Sequence, residues 1–107
     1  MRFIAMDLAV SIISQLRRIV PIIRRNDRRA AEQMDEASTS IALNLGEGNR
    51  RQGRDKKYLF TVASGSTEEV RTALLVSIAK GNLKEKSVEK VLDDIDHLQA
   101  ILWKLMR

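Results

Sequence analysis

Apolar residues recur at intervals of three and four along almost the whole chain, and only Asn26-Asp27, Gln52-Gly53 and Gly81-Asn82 punctuate the pattern. That interval keeps side chains on one face of an α-helix, whereas a half-buried strand would need strict alternation. Three breaks therefore predict four helices. The 107 residues suffice for one hydrophobic core and not for two. Short connections make consecutive helices antiparallel neighbours, so the expected fold is all-α, an up-down-up-down antiparallel four-helix bundle forming one domain over 1–107. Aromatic residues are only 4% of the chain against 44% hydrophobic overall, so the core must be built from Leu, Ile, Val, Ala and Met.

The first helix is predicted from Ile4 to Arg25, with Ile4, Leu8, Ile12, Leu16, Ile19 and Ile23 along one face. Val10, Ile13 and Val20 widen the apolar arc beyond one bundle seam, which suggests that part of it faces another subunit. Pro21 removes a backbone donor and predicts a kink or an early end. Asp27 is a natural N-cap for a second helix reaching Arg51, with Ala30, Met34, Ala37, Ile41 and Leu45 inward. A third helix should run from Asp55 to Lys80, with Leu59, Val62, Ala63, Ser66, Val70, Ala73 and Leu74 inward and Gly81 closing it. For the fourth, Ser87 is the expected N-cap, and Val88, Val91, Ile95, Leu98, Leu102 and Leu105 form an unbroken seam.

The absence of cysteine excludes a disulfide scaffold, thiolate metal sites and a cysteine nucleophile, and fits a reducing compartment. Asp7, Gln15, Arg17 and Arg18 interrupt the apolar residues of the first helix. No segment approaches the roughly 18 to 20 apolar residues of a membrane span. A cytoplasmic protein with no membrane partner is expected. Asp93, Asp94 and Asp96 splay around their helix like a solvated face, and the lone His97 sits beside the seam. Catalytic residues, metal ligands and cofactors are therefore not expected, and the chain does not read as an enzyme.

Formal net charge is +5, and the basic residues cluster. One group, Arg17, Arg18, Arg24, Arg25, Arg28 and Arg29, surrounds the first connection, and the other, Arg50, Arg51, Arg54, Lys56 and Lys57, the second. The fold puts the groups at opposite ends. Guanidinium forks match phosphate oxygens, and counterion release favours such contacts at low salt. Glu32 could instead absorb Arg28 and Arg29 on the same helix, while Arg24 and Arg25 could serve a helix C-terminus. The four aromatic residues do not interleave with the clusters in sequence, so contact with RNA or DNA should be largely sequence-independent.

The segment Ser40 to Gly48, SIALNLGEG, is the most distinctive in the chain. Asn44 lies at the edge of the core, and Gly48 gives up about 1 kcal/mol of helix propensity relative to Ala, which predicts close packing or a bend there. A structural polar network of Asn44, Glu47 and Glu69 is expected to link the second and third helices.

Together with ASGSTEE, Ala63 to Glu69, this segment resembles the four-helix bundle proteins encoded in intervening sequences of bacterial 23S rRNA genes. The match spans most of the chain; its specific positions include Gln33, Ala37, Ser40, Ile41, Asn44, Glu47, Gly48, Arg51, Ala63, Gly65, Ser66, Glu69 and Leu74. The resemblance implies a cytoplasmic bacterial protein assembled as a homopentamer. It extends to the accessory variability determinant of diversity-generating retroelements, which implies nucleic-acid binding through basic residues, Arg51 being the motif-matched one, and association with a reverse transcriptase. Ala42 replaces the family's usual proline, Gly46 an alanine, Lys56 an aromatic and Arg71 an acidic or amide residue. The expected function is a non-enzymatic, oligomeric nucleic-acid-binding accessory protein; the alternative is a structural or protein-interaction homo-oligomer that binds no nucleic acid.

Overall fold

The computed structural model describes residues 2–107. It contains α1 (Ile4–Arg24), α2 (Arg28–Asn49), α3 (Gly53–Ala79) and α4 (Glu89–Leu105), with a 3-10 turn at Glu85–Val88 before α4. There is no strand among the described residues. Contacts between helices fix their direction. Arg24 meets Asp35 at one end of the α1/α2 pair, and Met6 lies against Gly46 at the other. Lys80 reaches Asp27, Ser40 meets Ser66, and Gly48 abuts Phe60 along the α2/α3 pair. Arg71 bonds Asp96, Ser64 bonds Gln99, and Thr61 approaches Met106 along α3 and α4. In every pair one number rises as the other falls, so the helices run up, down, up and down.

Local chemistry explains the helix limits. The Asp27 carboxylate accepts the Ala30 N–H at 3.0 Å, satisfying a donor that the first turn of α2 would otherwise leave open. That bond, assisted by Lys80, holds its carboxyl below the usual carboxylate range. At the end of α3, Gly81 adopts φ +79°, its N–H donates to Ile78, and the Asn82 N–H donates to Ser77, so two terminal carbonyls are satisfied. Gly53, at φ +61°, makes the turn into α3 and moves its start two residues ahead of Asp55. α1 continues through Pro21 to Arg24 without ending early. Pro21 is exposed, so water can serve the Arg17 carbonyl that lacks its helical donor.

The buried seams differ from the predicted ones in register at two places. On α1 the buried residues are Ala5, Ala9, Ile12, Leu16, Ile19, Val20 and Ile23, while Ile4 remains 55% exposed. The buried stripe thus begins on the small Ala5 and Ala9, one position along from Ile4 and Leu8. On α3 the seam is Phe60, Ala63, Thr67, Val70, Leu74 and Ser77 rather than one through Leu59 and Ser66. Thr67 is fully buried because its hydroxyl donates back to the Ala63 carbonyl at 2.8 Å. Ser87 is not the N-cap of α4: its hydroxyl donates to Lys84 at 2.7 Å within the 3-10 turn, and Val88 precedes the helix. The α4 seam is otherwise as expected through Leu102, with Leu105 partly exposed.

Candidate nucleic-acid interface

The fold brings the α1/α2 connection and the α3/α4 connection to one end of the bundle. The α2/α3 connection joins Arg2 and the last turn of α4 at the other. Each basic group predicted from sequence changes under this geometry.

At the first end, two members of the group are answered by carboxylates. Arg24 pairs with Asp35 at 3.1 Å, and Arg28 pairs with Glu32 at 3.0 Å. Arg17 lies seven residues before the end of α1, so at about 1.5 Å per residue neither it nor Arg18 belongs to the tip. Only Arg25 and Arg29 remain there from the predicted set without a carboxylate within 4.0 Å among the described residues. Beside Arg29 an open groove of about 770 Å³ runs between α2 and α3 over Ala30, Met34, Ala73 and Val76, but its rim mixes Lys80 with Asp27 and Glu69. Such a rim does not select an anion.

At the second end, Arg51 is held by Glu47 at 3.0 Å and lies 3.9 Å from Asp55. Lys56 lies over the Phe60 ring at 5.9 Å. Arg50, Arg54 and Lys57 are exposed and have no carboxylate within 4.0 Å among the described residues. Antiparallel topology adds Arg2, Lys104 and Arg107, which sequence proximity could not place beside them. The signal was available: in a four-helix up-down bundle, both ends of the chain meet the second connection.

The second end concentrates positive charge. The second end holds Arg2, Arg50, Arg51, Arg54, Lys56, Lys57, Lys104 and Arg107 against Asp7, Glu47 and Asp55, an excess equal to the formal +5 of the whole chain. The other eleven cations and eleven carboxylates cover the rest of the bundle, its middle included, and Arg25, Arg29, Lys84 and Lys86 at the first end also have no carboxylate within 4.0 Å among the described residues. Arg2 is itself paired with Asp7 at 2.8 Å. Gln52 supplies no side-chain cap to α3, so its first N–H groups add positive potential beside Arg54.

The predicted polar network is corrected in its membership. Asn44 donates to the Ser40 carbonyl at 2.8 Å and to the Ser40 hydroxyl at 3.1 Å, and that hydroxyl meets the Ser66 hydroxyl at 2.7 Å, linking α2 to α3. Glu47 and Glu69 take no part in it. The inward arc of α2 passes through Ile41, Leu45 and Gly48, which leaves Glu47 in solvent beside Arg51. Glu69 is exposed on the groove rim, outside the arc of Thr67, Val70 and Leu74. Gly48 accounts for its own presence: a Cβ there would lie 2.9 Å from two Phe60 ring carbons.

A second polar staple was read from sequence as solvated surface. Asp94 accepts from Gln15 at 2.7 Å, Lys90 at 3.0 Å and Ser11 at 3.3 Å, tying α1 to α4. Burial pushes its carboxyl up, but the Lys90 and Gln15 bonds outweigh it and leave the group below the ordinary range. Among the described residues there is no cluster of three or more metal-ligating side chains, and no helix long and apolar enough to cross a membrane.

These features define an all-α bundle with two internal polar staples and a strongly basic α2/α3 tip. Over residues 3–104 the chain matches the family model described as 23S rRNA-intervening sequence protein, and it belongs to that family. A solved structure from Bacteroides thetaiotaomicron VPI-5482, described as a protein of unknown function from the S23 ribosomal protein family, superposes with a TM-score of 0.86 at 16% identity, covering 96% of this chain and 98% of that one. That similarity establishes the shared fold. No curated protein matches the sequence.

Proposed function

We propose that this protein is a non-enzymatic, oligomeric nucleic-acid-binding accessory protein that meets its polyanion with the α2/α3 end of the bundle. The observation carrying this reading is the excess of five positive charges gathered at that end, where Arg50, Arg54 and Lys57 have no internal carboxylate partner among the described residues. Arg24 and Arg28 are engaged by Asp35 and Glu32, Arg17 and Arg18 lie away from either tip, and Arg25 and Arg29 add a secondary positive field at the opposite end. The family's connection with 23S rRNA intervening sequences makes RNA a fitting ligand, and the resemblance to retroelement accessory proteins makes a reverse transcriptase a fitting protein partner. A cytoplasmic location and a homopentamer belong to the same proposal.

One observation favours the competing reading of a purely structural homo-oligomer. Leu43 is 66% exposed on the outer face of α2, and Val10 is 55% exposed on α1. Self-association would cover such residues without requiring nucleic acid.

Salt-titrated binding of labelled duplex and single-stranded oligonucleotides separates the two. Affinity should fall steeply with salt, and replacing Arg50, Arg54 and Lys57 together by Ala should flatten the duplex log-log slope by about 0.9 for each phosphate that is no longer neutralised. Arg24→Ala with Arg28→Ala should leave the slope nearly unchanged. Absent or salt-insensitive binding would refute the proposal and leave the structural oligomer.

A further inference from the structure

Two large aromatic side chains stand in solvent at the charged end. Tyr58 is 67% exposed on the outer side of α3, next to Lys57 and one turn from Arg54, and Trp103 is 59% exposed near the end of α4. The helices carrying them are in contact at this level: Thr61, one turn beyond Tyr58, approaches the Met106 sulfur at 3.4 Å, and Ser64 bonds Gln99 at 2.8 Å. The Arg107 guanidinium lies 4.4 Å from the centre of the Trp103 ring, leaving most of the indole in water.

An exposed aromatic ring in a tip without cations would suggest a protein contact. Here Arg107 lies over Trp103 and Lys57 precedes Tyr58 in the chain, and neither cation has a carboxylate within 4.0 Å among the described residues. A flat apolar face beside a positive charge on a flexible stem suits an unpaired nucleobase and its phosphate, since stacking needs the π-face and the backbone needs the cation. A duplex keeps its bases stacked on one another and can use only the cations. Stacking also adds affinity that salt does not screen.

We propose that Tyr58 and Trp103 form a base-stacking platform, so that the charged end takes single-stranded nucleic acid in preference to duplex. This rests on the nucleic-acid reading above and assigns it a strand class and two contact residues. The shared chemistry is an unpaired base on a phosphate backbone; ribose and deoxyribose strands are the two arms of the test.

The chain has one tryptophan, so its fluorescence reports on Trp103 alone. Full-length protein is titrated with uridine and deoxyuridine homopolymers, a duplex of equal length, and inorganic polyphosphate. Both single strands should quench Trp103, the better quencher naming the preferred sugar, while duplex and polyphosphate leave it nearly unchanged. Tyr58→Ala and Trp103→Ala should each weaken single-strand binding about 5- to 100-fold with little effect on duplex, and Trp103→Phe should restore much of the loss. Both residues are exposed, and unchanged helical circular dichroism checks the fold. If single strands bind with the usual salt dependence but ignore both alanine variants, the platform is wrong and the electrostatic reading stands. If no polyanion binds, both fall. If acrylamide cannot reach Trp103 in the free protein, a second copy covers the ring and the platform is refuted.

Discussion

Three helical glycines should respond to alanine with different signs. In an open helix interior, Gly→Ala gains about 1 kcal/mol from backbone propensity alone. At Gly65 a Cβ would meet nothing within 4 Å, so nearly that full gain should appear. At Gly46 the nearest atom would be the flexible Met6 terminus at 3.5 Å, an ordinary contact, and a similar gain is expected. At Gly48 the new methyl would sit 2.9 Å from two carbons of Phe60 and 3.2 Å from the Leu59 Cβ. Phe60 is only 1% exposed, so its ring cannot swing into solvent. Overpacking of this kind costs about 1–3 kcal/mol, which outweighs a propensity gain diminished by Gly48's position near the end of α2. The net loss should be about 1–2 kcal/mol, lowering the melting temperature by several degrees for a chain this size, roughly 4–8 °C per kcal/mol. Urea unfolding and thermal melts at matched protein concentration measure all three variants, concentration being fixed because self-association would raise apparent stability. A Gly48→Ala protein as stable as the parent, or a destabilised Gly65→Ala protein, would refute the reasoning.

The Asp94 staple should be sensitive to acid. Its folded carboxyl titrates below the ordinary value near 3.8, so its contribution is present above that value and disappears as pH falls through the depressed folded value. Asp94→Asn should cost about 1–2 kcal/mol near neutral pH and little at strongly acid pH, as urea unfolding across pH would show; equal losses at both would contradict it. Ser40→Ala and Ser66→Ala should each cost about 1 kcal/mol, with the double variant losing less than the sum; strict additivity in a double-mutant cycle would exclude the hydroxyl pair as a coupled unit.

Spacing made the four helices and their order legible, and the conformational demands of Asp27 and Gly81 made two helix ends legible as well. Register was harder, because hydrophobicity ranks Ile4 and Leu8 above Ala5 and Ala9, whereas a close helix crossing rewards the smaller side chain. Thr67 is buried on the same logic, since its hydroxyl bonds its own helix and so fits a narrow seam. Ser87 looked like a cap because caps are recognised by residue type, while the 3-10 turn took its hydroxyl. In the basic region, Arg50 and Arg54 could be read from local sequence, but Lys104 and Arg107 join them only through topology. Pairing within a helix is legible, as Glu32 with Arg28 shows, whereas the pair of Arg24 with Asp35 between helices depends on the packing of α1 on α2 and has no local signal.

The five surplus charges gathered at the α2/α3 tip bias the molecule electrically along its 42 Å length. A cation-exchange resin or any other dense anionic surface will therefore favour contact through that tip over contact along the acidic middle of the helices. In a cyclic assembly with parallel long axes, each added copy would place its tip on the same rim, so the two rims of the ring would behave as different materials.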